Sequence, residues 1–292
     1  MKILVWVILC LVWGSTWLVI KIGLRDIPPL TFASYRFILS IFTISIVLKS
    51  LRIPFPDLRR EWKFFAFTGI LQFTINYAIV FWSELYITSG LAAVLQATIP
   101  LFGLLLATFY LPDERITKLK LGALLIGFVG VGVIFSEQLR INDLWAFAGS
   151  IAIVFGAFIA ALASIQTKAK GSHLNPAALL LGQMIFGGVP LMFLAFVFEG
   201  NPLRHNFTQA SILSIIYLSW IGTVVAFWLY YWLLKRVEST KAMTISLVTP
   251  LTAVVFGAIF LHEKLPKQTA FGGILILLSV ALIIFRRRIR TL

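Results

Sequence analysis

The sequence predicts an all-α integral membrane protein in which ten transmembrane helices form a 5+5 inverted-topology repeat around a central cavity. Three observations lead there. Sixty per cent of the 292 residues are apolar and 12% are charged. A soluble domain keeps about a quarter of its residues charged, so lipid is the solvent over most of this surface. The apolar runs are continuous and roughly 20 residues long, enough to cross a bilayer as helices, whereas the strands of a membrane barrel would alternate over about ten residues. Finally, the second half of the chain repeats the first.

The first helix is expected at Ile3–Ile22, where one lysine precedes a long apolar run with no small-residue cleavage site before Gly14. It reads as a retained helix, not a cleaved signal. The next four are expected at Leu30–Leu48, Phe64–Trp82, Ile87–Leu111 and Leu121–Ser136. The fifth is short, and Lys118 and Lys120 extend it by snorkelling. The remaining five are expected at Leu144–Thr167, Pro176–Phe198, Ala210–Leu234, Ala242–Leu261 and Gln268–Phe285. Only two spans hold a charge, Lys21 in the first and Arg36 in the second. These helices and their short loops use the whole chain and leave no soluble domain.

The net charge of +14 is explained by the loops, so no nucleic-acid partner is expected. With the N-terminus in the cytoplasm, 18 basic residues fall on the inner side and five (Arg25, Arg140, Arg204, Lys264, Lys267) on the outer. The positive-inside rule then places both termini in the cytoplasm of a multi-pass inner-membrane protein. The single cysteine, Cys10, excludes a disulfide framework within the chain. His173, His205 and His262 lie in loops without metal-ligand spacing, and neither a phosphate-cradling glycine loop nor a Ser-His-Asp set is present. No cofactor or metal is expected, and an ATP-driven pump has no support within the chain.

Sliding the chain by 150 residues lays the third to fifth helices on the eighth to tenth. Trp82 meets Trp232, Ser89 meets Ser239, Pro100-Leu101 meets Pro250-Leu251 and Gly122 meets Gly272. In the first two helices Gly14 resembles Gly156, and the interval Pro29–Arg36 matches Pro176–Gln183. The halves are residues 1–140 and 141–292. Each has five spans, an odd number, so they enter the membrane from opposite sides. Such inverted repeats are a recurrent transporter architecture, with the site at the midplane between them.

Candidate cavity residues are polar or aromatic side chains inside the spans, which normally face protein or water. They are Trp13, Ser15, Thr16 and Trp17 in the first helix, Gln72, Asn76 and Tyr77 in the third, and Gln96 in the fourth. Gln183 in the seventh, Thr223, Trp228 and Tyr231 in the eighth and Ser246 in the ninth complete the set. Arg36 either faces the cavity, holding a carboxylate or phosphate, or snorkels to the interface; Lys21, nearer its helix end, is expected to snorkel. Pro100 and Pro250 are candidate hinges, because each proline frees the carbonyl four residues earlier, of Gln96 and Ser246. Glu84 is either a coupling carboxylate or an outer-loop residue. Gly122, Gly127, Gly130 and Gly132 form a small-residue face that packs the end helices together or joins two protomers; monomer and homodimer both stay open.

Several segments taken together resemble the EamA family of the drug/metabolite transporter superfamily. They are Trp13-Gly14-Ser15-Thr16-Trp17, Pro29 through Arg36-Phe37, Asn76-Tyr77 and Ser89-Gly90-Leu91-Ala92-Ala93 running to Pro100-Leu101. Ser239-Thr240-Lys241-Ala242, Pro250-Leu251, Glu263 and Gly272 echo them. Two departures stand out: Glu84 replaces a leucine-like residue, and Pro112-Asp113-Glu114 replaces a Gly-Glu pair. The resemblance implies a transporter of small metabolites such as amino acids, exporting in many members and importing in some. A sugar or nucleotide-sugar permease is the second reading. An intramembrane enzyme would need ionisable groups converging at one depth, and a scaffold would not need paired kinks.

Overall fold

The computed structural model describes residues 1–112, 117–138, 143–205, 207–262 and 266–284. Asp113, Glu114, Arg115, Arg140, Glu263, Lys264 and the cluster Arg286, Arg287, Arg288 and Arg290 lie outside the described residues, as does the boundary expected between the halves. The described residues form helices and no strand. In order these are α1 (Lys2–Gly23), α2 (Pro29–Ser50), α3 (Leu58–Ser83), α4 (Ser89–Tyr110) and α5 (Lys118–Gln138). Then come α6 (Leu144–Lys170), α7 (Pro176–Glu199), α8 (Gln209–Leu234), α9 (Ser239–Met243 continued by Ile245–Phe260) and α10 (Lys267–Ile284).

Eight helices, α1–α4 and α6–α9, are long and apolar enough to cross a membrane. In lipid each backbone N–H and C=O must be satisfied within the segment, so apolar runs of this length become helices. The expected spans agree with the helices to within a few residues, except that α3 starts six residues before Phe64, at Leu58. Asp57 caps it by accepting from the Arg59 amide at 3.0 Å. Its first turns carry exposed Arg59, Arg60 and Lys63, which the sequence pattern assigned to a loop.

The remaining two helices, α5 and α10, pack along each other. Ser279 Oγ donates to the Ala123 carbonyl at 2.5 Å, and a Cβ on Gly130 would lie 2.6 Å from the Gly272 carbonyl. Gly127 is similarly confined by Leu101 and Ser279. Gly122 and Gly132 face open space, so the glycine face expected from the sequence divides: two members pack helices and two do not.

Several local features recur at the repeat spacing. Proline opens both α2 and α7 at the first helical position, where its missing amide is not needed. The α2 start is capped from α7: Glu199 accepts the amides of Leu30 (2.8 Å) and Thr31 (2.7 Å). In α3 and α8 the helix widens to π geometry at Ile70–Asn76 and Trp220–Val225, segments that begin 150 residues apart. Helix α7 crosses α3 through Gly187 and Gly69, where a Cβ on Gly187 would lie 2.2 Å from the Gly69 carbonyl. Helix α2 crosses α8 at the corresponding point through Ser40 and Ser219, whose hydroxyls are 2.9 Å apart.

Two lysines mark the register of the first helices. Lys21 donates to the carbonyls of Glu84 and Ile87, the latter at 2.8 Å, so it holds the α3–α4 turn and does not snorkel. Lys168 near the end of α6 donates to the Val237 carbonyl at 2.6 Å in the α8–α9 turn. Lys21 therefore corresponds to Lys168, 147 residues later, the spacing that also joins Pro29 to Pro176. The match of Gly14 to Gly156 gives way to this one: Gly14 packs on Thr252 of α9, whereas Gly156 packs on Asn76 and Ile79 of α3.

The two prolines proposed as hinges are placed differently. Helix α4 is interrupted between Gln96 and Ile99, and Pro100 sits in the first turn of its second segment. Helix α9 is interrupted at Thr244, and Pro250 lies within Ile245–Phe260. The Ser246 carbonyl that Pro250 releases accepts from Thr249 Oγ1 at 3.2 Å.

A side chain at the α3–α7 crossing has nowhere to go. Gly187→Val is expected to cost at least about 1–3 kcal/mol and to lower the unfolding temperature or abolish the monodisperse peak in detergent. Gly122→Ala, measured alongside by thermal unfolding and size exclusion, is expected to change neither.

Candidate functional site

The site is built around Arg36, seven residues into α2 and only 1% exposed. Its Nε donates to Thr223 Oγ1 at 2.7 Å, and its Nη2 donates to the Gly222 carbonyl at 3.1 Å and the Tyr77 hydroxyl at 3.4 Å. The guanidinium stands 4.7 Å from the Tyr77 ring centroid and 5.9 Å from that of Phe81. The π segment of α8 makes this possible. Widening the helix frees the Gly222 carbonyl, which also accepts from Trp13 Nε1 at 3.3 Å, and aims Thr223, whose own proton goes to Leu218. π segments of this kind are frequent at functional sites. Gly222 leaves room for the contact, since a Cβ there would lie 3.0 Å from the Thr16 methyl and 3.6 Å from Arg36 Nη2.

Arg36 Nη1 has no hydrogen-bond partner, and Arg36 has no ion-pair partner, among the described residues. It lines a cavity of about 120 Å³ bounded by α1, α2, α3, α4, α6, α8 and α9. Of the residues predicted from the sequence, Trp13, Thr16, Trp17, Arg36, Gln72, Asn76, Tyr77, Gln96 and Ser246 meet there. Gln96 Nε2 donates to Asn76 Oδ1 at 3.4 Å, while Gln96 Oε1 is buried and unpartnered among the described residues. Two residues of the cavity wall thus each keep a buried polar atom unpartnered among the described residues, one a cationic donor and one a neutral acceptor. Aromatic rings wall it: Trp13 packs against Phe227 and Tyr230 at 5.3 and 5.2 Å between centroids.

The other predicted residues lie elsewhere. Ser15 pairs with the Tyr217 hydroxyl at 2.6 Å. Thr223 is turned toward Arg36, and so supports the cavity from behind. Trp228 lines an outer apolar groove with Val5, Leu229 and Trp232. Gln183 is fully buried, its Nε2 donating to Thr68 Oγ1 (2.8 Å) and Thr167 Oγ1 (2.9 Å) and its Oε1 accepting from Tyr231 Oη (2.5 Å). Glu84 is fully buried at the end of α3 and not in an exposed outer loop; the turn that Lys21 clamps encloses it.

The structure adds Ile20, Val80, Ile99, Ala160, Ser164, Phe227, Tyr230, Met243, Ile245 and Thr249 to the wall. The 150-residue repeat carried a signal for one of them: Phe227 is the counterpart of Tyr77, so projecting one half's candidates onto the other finds it directly. Met243 and Ile245 flank the interruption in α9, which no sequence feature announces.

A family model described as the EamA-like transporter family matches residues 1–136 and 147–285. The chain belongs to that family. The EamA-like assignment fits the membrane-length helices and makes this a multi-pass membrane transporter. The chain is 30% identical over 263 residues to YedA, an uncharacterized inner membrane transporter of Escherichia coli (strain K12), across 89% of this chain and 82% of that one. It is 26% identical over 288 residues to a probable amino-acid metabolite efflux pump of the same strain, across 96% of this chain and 93% of that one. A protein of known crystal structure shares the fold with a TM-score of 0.74 and 16% identity, each chain covered to 96%.

Removing a partner from a buried charge costs more than removing the charge itself. Thr223→Val, which strands Arg36 Nε, is expected to lower stability by about 1–3 kcal/mol, and Arg36→Met by less. Thermal unfolding of the two variants in the same detergent checks the order.

Proposed function

We propose that this protein is a secondary transporter or facilitator of small metabolites bearing a carboxylate, with amino acids and related compounds as its substrates. The observation that carries this reading is Arg36, a guanidinium enclosed in the protein with Nη1 unpaired and the cavity in front of it. A carboxylate supplies the charge and the acceptor that the site lacks. An α-ammonium group has complementary places to go, Gln96 Oε1, unpartnered among the described residues, and the rings of Trp13 and Tyr230. The remaining wall, with Ile20, Val80, Ile99, Met243 and Ile245, suits an apolar side chain. The E. coli relative described as a probable amino-acid metabolite efflux pump supports the same class.

In this reading α1–α5 and α6–α10 are the two five-helix halves, inserted in opposite senses, with both termini in the cytoplasm of the cell membrane. The turns α2–α3, α4–α5, α6–α7 and α8–α9 then lie at the inner face. The recurrence of the proline starts, the π segments and the lysine clamps at fixed spacing supports that arrangement. Exchange between two conformations opens the midplane cavity to each face in turn; Pro100, at the interruption of α4, and Pro250, within the second segment of α9, are the hinges of that bending. No phosphate-binding motif suggests coupling to nucleotide hydrolysis. A sugar permease would need a wall of hydroxyl-matching groups in place of these aromatic and aliphatic side chains.

Counterflow in proteoliposomes, screened over radiolabelled amino acids at equal pH on both sides, tests the reading. Saturable counterflow is expected for at least one amino-acid class. Arg36→Gln is expected to weaken apparent affinity about ten- to a hundredfold, the worth of a charge-assisted hydrogen bond, and Arg36→Lys less. Folded protein that gives no amino-acid counterflow, or counterflow untouched by Arg36→Gln, contradicts it.

A further inference from the structure

Arg36 has a counterpart that the cavity does not reach. Counted from the prolines that open α2 and α7, Arg36 and Gln183 occupy the same place, seven residues in. Their surroundings correspond as well. Shifted by the repeat spacings, Tyr231 beside Gln183 falls on Phe81 beside Arg36, and Thr167 falls on Ile20, which lines the cavity with Arg36. The α3–α7 crossing that carries Gln183 is the counterpart of the α2–α8 crossing that carries Arg36.

The two sites are in opposite conditions. Arg36 stands in the wall of the open cavity with one buried donor unpartnered among the described residues. Gln183 has both amide protons donated and its oxygen occupied, and through Thr68, Thr167 and Tyr231 it ties α3, α6 and α8 to α7 at one point. That point lies toward the α6–α7 turn, the inner face in the reading above. When two halves of an inverted repeat exchange conformations, the surroundings of one side describe what the other becomes.

We propose that Gln183 is the second polar station of the pathway. The Thr68–Thr167–Tyr231 cluster around it is the closed inner end, and its opening turns Gln183 toward the substrate while the cavity beside Arg36 closes. A carboxylate passing from a guanidinium to a neutral amide exchanges a charge-assisted contact for a weaker one, which favours its release toward the inner face. The proposal rests on the transport reading but is tested without a substrate.

The experiment uses full-length protein in the Cys10→Ser background with one introduced cysteine, either Thr68→Cys in the inner cluster or Thr16→Cys in the cavity. A membrane-impermeant anionic methanethiosulfonate is added to right-side-out or inverted membrane vesicles, and modification is followed by intact mass. Thr68→Cys is expected to react from the inner face and Thr16→Cys from the outer. Tyr231→Phe, which removes the hydroxyl donated to Gln183, is expected to speed the first by roughly three- to tenfold, the effect of one neutral hydrogen bond, and to slow the second. Thr167→Val, removing a different partner, is expected to act in the same direction and replaces Tyr231→Phe should that variant misfold. Thr68→Cys inert from both faces makes the cluster permanent packing and overturns the proposal. So does a rise in both rates together, which marks a loosened fold, or a lack of reaction at either cysteine. A failed substrate screen leaves a reciprocal labelling pattern standing, and a failed labelling pattern leaves positive counterflow standing.

Discussion

A guanidinium held inside the protein, with no carboxylate to meet it among the described residues, constrains everything around Arg36. Taking such a charge out of water costs several kcal/mol even after the surroundings relax, and here the surroundings are visibly arranged to offset it. Helix α8 gives up regular geometry at Trp220–Val225 so that Gly222 offers a carbonyl and Thr223 a hydroxyl. Tyr77 contributes both its ring and its oxygen. One nitrogen stays unpaired, and it belongs to a residue of the cavity wall. In the proposed reading, the charge retained at this cost meets an anionic substrate.

The lipid solvent accounts for the rest of the architecture. Because the bilayer offers the backbone no partners, irregular segments are tolerated only where protein or a wet cavity receives them. The interruptions in α4 and α9 and the wide turn of α3 obey this rule, each contributing or flanking residues of the same cavity, and the wide turn of α8 holds Arg36 from behind that wall. Helix association without a strong hydrophobic drive depends on close approach and interhelical hydrogen bonds. The Gly69–Gly187 crossing uses the first device and the Ser40–Ser219 crossing the second, at positions that correspond at the sequence-repeat spacings. Lys21 and Lys168 add the same clamp at opposite ends of the repeat.

Much of this was legible in the sequence because hydropathy reports solvent directly. Span limits, the family resemblance and the repeat spacing of the later helices all follow from residue type and order. The polar residues that gather at the cavity were found for the same reason: Gln72, Asn76 and Gln96 have no business in lipid. Position around the helix was less legible. Ser15, Trp228 and Tyr231 have the right chemistry and depth but face other directions, since an all-round apolar helix gives little phase information. The fate of Arg36 turned on a π segment that no local pattern predicts. Lys21 shows the opposite failure: a position near a helix end suggested snorkelling, but the carbonyls exposed at the end of α3 were close enough to claim it.

Recognition of a carboxylate by Arg36 is read out by ligand-induced stabilisation of the purified protein. Phenylalanine and leucine are compared with phenethylamine and isoamylamine, which keep the amine and side chain but lack the carboxylate, on the wild-type protein and on Arg36→Met. The account expects at least one of the amino acids to raise the unfolding temperature in a saturable manner. Its amine should have no such effect, and Arg36→Met should be insensitive to both. An amine that stabilises as well as its amino acid, or a shift that survives Arg36→Met, would contradict it.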